Sequence, residues 1–178
     1  KTLSPQLIEL WSTTNFNTKG NWGQVFGKNP FTGELFMAWY YAHYMNKMAL
    51  AGKNEWPLPV ITNSWIVQPE DKFPGDYPSG GPEPLNIDIW KVAAPNIDIN
   101  APDIYLPNFD EWAILFHRPD NPLFIPESKG DIYGMANAFY ALGQHSALGY
   151  SPFGIDNFER FGIDINDIDK SIEKLPIT

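Results

Sequence analysis

Residues 122–156 read PLFIPESKGDIYGMANAFYALGQHSALGYSPFGID. The opening PLFIPES (122–128) is a short apolar run that closes on Pro126, Glu127 and Ser128, the pattern of a strand buried on both faces. Asp131 then stands at the cap position of a helical stretch, DIYGMANAFYALGQH, and ALGYSPFGID (147–156) supplies a second short strand with its exit loop. Strand, helix and strand within so few residues predict a βα unit, in which the two strands run parallel.

The same alternation extends towards the N-terminus. From Thr32 the run TGELFMAWYYAHYMNKMALAGKNEWP places Leu35, Trp39, Ala42 and Met45 on one helical face, with Thr32 able to cap its start and Gly52 its end. PLPVITNSW (57–65) predicts a buried strand, and residues 69–84, PEDKFPGDYPSGGPEP, predict an extended loop. A helix is expected over about 85–93. NIDINAPDIYLPN (96–108) then alternates Ile with polar residues up to Pro107, and Asn108 with Glu111 three residues on forms a capping-box pattern for FDEWAILFHR. The predicted class is therefore α/β, with four parallel strands, half the number in a (β/α)8 barrel; a whole barrel needs about 250 residues.

Composition narrows the function. Twelve basic residues against 21 acidic ones give a net charge of −9, so a phosphate backbone or an anionic membrane surface is disfavoured. No apolar run reaches the roughly 20 residues of a membrane span. Without cysteine there is no thiol nucleophile and no thiolate metal site. His43, His117 and His145 lack any metal-ligand spacing, so neither a metal nor another cofactor is expected. Seven Trp, eight Tyr and twelve Phe suit a domain whose loops stack against sugar rings, although rings are more often core.

In a parallel α/β sheet the chemistry sits at the C-terminal tips of the strands. The predicted tips carry Asn63, Ser64 and Trp65; Asp103, Tyr105 and Asn108; Glu127 and Ser128; Ser151 and Asp156. Glu127 stands out because it follows LFIP directly, a carboxylate at the mouth of an apolar strand that needs polar partners; capping a turn or pairing with Lys129 would be the plain structural alternative. Asn54-Glu55 falls between a helix and the start of a strand, the wrong end for catalysis. In Gly149–Gly154 the spacing of a nucleophile elbow is off by one residue.

Taken in order, FMAWYYAHYMNKMALAGK, PLPVITNSW, FPGDYPSGGP, APNIDINAPDIYLPNF, NPLFIPES and ALGYSPFGID resemble the second half of a bacterial β-galactosidase-like glycoside hydrolase, related to families 35 and 42 of the retaining (β/α)8 clan. The resemblance spans nearly the whole chain. It implies that the four strands are the fifth to eighth of a TIM barrel, that residues 1–31 are a lead-in loop in which Trp11 and Trp22 either line the site or simply pack, and that Glu127 is the nucleophile. It also implies that Tyr105 orients Glu127 and that Asn63, Trp65 and Asn108 contact the sugar. Retaining hydrolysis uses two carboxyl groups about 5–5.5 Å apart, and the acid/base Glu of the fourth strand is missing from this sequence. The expectation is thus an inactive piece of an enzyme acting on terminal β-galactosides, whose partner is the N-terminal half of the barrel and whose parent is periplasmic or secreted. Its two open sheet edges would favour a homodimer. The alternative is a non-catalytic carbohydrate-binding or scaffold protein.

Overall fold

The computed structural model describes residues 3–155. Helices α1 (Pro5–Ser12), α2 (Trp22–Phe26) and α3 (Pro30–Glu55) precede β1 (Ile61–Ser64), α4 (Ile87–Ala93), β2 (Ile99–Ile104), α5 (Phe109–Phe116), β3 (Ile125–Ser128), α6 (Ile132–His145) and β4 (Tyr150–Pro152). The strands form one sheet in the order β1-β2-β3-β4, every pair parallel, with a helix in each connection. The α/β class and the four parallel strands agree with the sequence reading. Asp156, placed there at the last strand's tip, lies outside the described residues.

Several boundaries differ, for local reasons. Helix α3 begins at Pro30, whose fixed φ and missing N–H suit a first helical position, and Asn29 caps it by accepting from the Thr32 amide at 3.0 Å. Thr32 therefore lies inside the first turn, its hydroxyl donating to the Gly27 carbonyl at 2.7 Å. Gly52 is likewise interior, and the helix ends where the Trp56 amide donates to the Gly52 carbonyl. At α5 the capping box does not form: Asn108 makes no side-chain cap bond, and its amide instead donates to Glu111 at 2.8 Å. The Asp131 cap of α6 is present, accepting from the Gly134 amide at 2.8 Å. Residues 1–31, expected as a loop, contain α1 and α2. Trp11 packs with Phe16 and Phe26, and Trp22 with Phe26, Phe36 and Trp39.

Two apolar cores hold the layers. Ile66, Ile104, Phe109, Phe116, Leu123 and Ile125 fill the space where α5 and α6 pack on the sheet, and Ala38, Ala42, Trp90 and Ile97 join α3 to α4. Burial of such side chains is the main favourable term, each contributing roughly 1.5–3 kcal/mol. Polar ties fix the register between layers. Asn121, fully buried, accepts from the Asn100 amide and donates to the Asn100 and Phe116 carbonyls, all at 2.9 Å, locking β2 to the end of α5. Asp88 accepts from the Ser4 amide at 2.7 Å and pairs with Arg118 at 2.6 Å, which binds α1 and α4 to the loop before β3.

Strands β1 and β4 are the edges of the described sheet. Helix α3 exposes Phe36, Tyr40, Tyr44 and Met48, a stripe at four-residue spacing, and α6 exposes Tyr133, Met135, Phe139 and Leu142. Such runs of large apolar side chains mark surfaces that associate.

Candidate functional site

Residues two apart on a strand share a face. The register pairs Asp103 with Glu127 on neighbouring strands, so that these two carboxyl groups and Tyr105 project from one face at the C-terminal tips of β2 and β3. Asn63 of β1 lies on the same face, opposite Ala101. Two hydrogen bonds organise the group. The Tyr105 hydroxyl donates to Glu127 Oε2 at 3.0 Å, and the Asn63 amide donates to Asp103 Oδ1 at 2.9 Å.

The electrostatics follow from that packing. Burial raises the Asp103 carboxyl from 3.8 to about 6; the bond from Asn63 works in the opposite direction, and the charge of Glu127 adds to the rise. Asp103 thus changes protonation just below neutral pH while facing a second carboxylate across the ladder. This carboxyl was visible in the sequence as a strand-tip residue, yet no role attached to it. Its signal is the partner Glu127, which lies 24 positions later and meets it only through strand register.

The remaining predicted residues are distributed around this centre. Trp65 is about half exposed and, with Asn63, lines an open cavity of about 720 Å³ that also touches Met37, Tyr41 and Tyr77. Tyr105 lines a second cavity of about 400 Å³, bounded by Leu106, Lys129, Tyr133 and Asn137. Asn108 is exposed at the start of α5, bonded to Glu111, and lines neither cavity. The structure therefore brings together Asn63, Tyr105 and Glu127, adds Asp103, sets Trp65 at the rim and leaves Asn108 outside the group.

Beside the first cavity, a buried network shapes the β1–α4 loop. Glu34, 2% exposed, accepts from the Tyr77 hydroxyl at 2.8 Å, the Gly80 amide at 3.0 Å and the Asn86 side chain at 3.1 Å. Gly80 has φ +87°, and a β-carbon there would come within 3.1 Å of Tyr41 and 3.3 Å of Met37, so the loop's close approach to α3 requires glycine. Sequence reasoning missed this network, because its members are 43 to 52 residues apart with no motif between them.

Among the described residues no group of three or more His, Cys, Asp or Glu side chains is arranged to hold a metal ion, and no helix is long and apolar enough to cross a membrane. No protein-family model matches the sequence, and no curated protein matches it.

Proposed function

We propose that this chain is the half of a (β/α)8 barrel carrying strands five to eight of a retaining, β-galactosidase-like glycoside hydrolase, with Glu127 as the nucleophile. The observation that carries the reading is the 3.0 Å hydrogen bond from Tyr105 to Glu127 across adjacent strand tips. The open edges at β1 and β4, with the exposed apolar stripes of α3 and α6, support a sheet that is completed by further strands.

On this reading the Tyr105 hydroxyl holds Oε2, and Oε1 of Glu127 attacks the anomeric carbon as the glycosidic C–O bond breaks. The leaving oxygen takes a proton from an acid/base carboxyl on a strand outside this sequence. Water, deprotonated by that same group, then cleaves the glycosyl ester and releases Glu127. Asp103, protonated below about pH 6, removes a competing negative charge from beside Glu127 in acid and restores it near neutrality. Asn63 positions Asp103, and Trp65 offers a ring face to the sugar.

The test uses the polypeptide that carries the whole barrel. Glu127→Ala abolishes turnover of an aryl β-galactoside with the fold intact, and activity within a few-fold of the parent refutes the assignment. Tyr105→Phe, which removes the orienting bond to Glu127, lowers kcat about 10- to 100-fold.

A further inference from the structure

Helices α5 and α6 each follow a strand and run back along the sheet, so their C-terminal ends lie at the end opposite Glu127. There the two helices meet through a pair of imidazoles. His117 closes α5 and His145 stands in the last turn of α6; their Nδ1 atoms are 2.8 Å apart, and the rings meet nearly edge to face at 82°. The two rings differ in surroundings. His117 is exposed, whereas His145 is 7% exposed and its Nε2 is buried with no hydrogen-bond partner among the described residues.

This contact can hold only so many protons. Two neutral imidazoles form one Nδ1–H···Nδ1 bond, with either ring as the donor. A first added proton can be taken at Nε2 of the exposed His117 while its Nδ1–H still donates to His145. A second added proton puts an N–H on both Nδ1 atoms, so that two donors of like charge face each other with no acceptor between them. Burial lowers the His145 imidazole from its ordinary 6.5, and the charge of His117 lowers it further. The folded chain therefore resists a proton that the unfolded chain accepts, and the contribution of the contact, full above pH 6.5, is lost as the pH falls.

The neighbouring groups do not relieve the second charge. Tyr140 of α6 lies against His145 with ring centroids 5.2 Å apart. Arg118, next to His117, is a further cation, its guanidinium held by Asp88 of α4 and by Asp120. Among the described residues no carboxylate bonds to either imidazole.

The turn that follows His145 depends on its neighbours. Ser146 lies in the left-handed region at φ +50°, a conformation that a residue with a side chain keeps only while its surroundings hold it. Beyond it the Ala147 amide donates to the Ala141 carbonyl at 3.1 Å, and the Leu148 amide donates to the Leu123 carbonyl at 2.8 Å, where the chain enters β4. His145 anchors this turn to α5 through its bond to His117.

We propose that the His117–His145 contact is an acid-released latch: closed at neutral pH it fixes the α6–β4 turn to α5, and double protonation opens it and loosens the β4 edge of the sheet. The latch is independent of the glycosidase reading, and changing either histidine alters none of Asn63, Asp103, Tyr105 or Glu127.

Amide hydrogen exchange of the whole chain, resolved by NMR and corrected for intrinsic rates, tests the latch at about pH 7.5 and about pH 5. In the parent, protection of the Ala147 and Leu148 amides is expected to fall about tenfold at the lower pH, while the Asn100 amide, bonded to Asn121 in β2, changes less than about twofold. His145→Asn keeps a polar group near the Nδ1 position and takes no charge, so the change should stay below about twofold. His117→Asn, at an exposed position, removes the opposing charge but leaves His145 buried, and should reduce the fall to about threefold. Equal protection of the parent turn at both pH values, a tenfold fall retained in either variant, or a fall shared by Asn100 would each overturn the proposal.

Discussion

Asp103→Asn separates the electrostatics of the proposed site from its packing. In the folded chain the Asp103 carboxyl is raised from 3.8 to about 6, with burial as the largest cause. A raised acid binds its proton more tightly in the folded state, so its contribution to stability is fully present below pH 3.8 and is lost as the pH climbs to about 6. Roughly two pH units at about 1.4 kcal/mol each set a ceiling near 3 kcal/mol. Asp103 is only partly buried, and solvent screening brings the expected effect to about 1.5 kcal/mol. The substitution removes this penalty, and the new carboxamide oxygen still accepts from Asn63. Urea unfolding of parent and variant at about pH 4 and about pH 8 measures the difference. The variant is expected to gain about 1.5 kcal/mol over the parent on moving from the lower to the higher pH. An identical parent-to-variant difference at both values would refute the reasoning, because desolvation and Glu127's charge would then have no effect on Asp103.

Other substitutions probe the frame that carries the site. Glu83→Gln should also gain on the parent as pH rises, but over the wider window from 4.5 to about 9, so its advantage keeps growing after that of Asp103→Asn has levelled off near 6; parallel urea series distinguish the two. Asn121→Ala leaves one buried amide and two carbonyls without their partners and should cost about 3 kcal/mol or more, with a measured loss below about 1 kcal/mol contradicting the account. Gly134→Ala would ordinarily favour a helix by about 1 kcal/mol. Here the added β-carbon would stand 1.9 Å from the Lys129 carbonyl oxygen, so the chain should lose rather than gain thermal stability.

What the sequence could disclose depended on how local the determining interaction was. β3 was legible because PLFIPES is a short apolar run that stops at polar residues, and the Asp131 cap of α6 lies three residues from the amide it serves. The start of α3 was also written locally, in Asn29-Pro30, but Thr32 offered a competing cap, and only the folded chain decides that its hydroxyl turns to the Gly27 carbonyl instead. α1 carried a comparable Ser4-Pro5 start inside a segment read as a loop. Tyr105 and Glu127 stand at neighbouring strand tips and are joined by a hydrogen bond over 22 positions of sequence. The weight of Asp103 was hidden, since its proton affinity arises from burial and from a residue on the next strand. The same holds for Glu34 with Tyr77 and Asn86, where long-range packing creates the chemistry.

The central claim is that Glu127 attacks a sugar. A galactoside fluorinated at its second carbon and carrying a dinitrophenolate leaving group reacts without an acid catalyst, and its glycosyl ester hydrolyses slowly enough to accumulate. The whole-barrel polypeptide, treated with it, digested and sequenced by mass spectrometry, is predicted to carry the sugar on Glu127 and to carry none after Glu127→Gln. Sugar attached to another residue, or equal labelling of the Gln variant, would contradict the account.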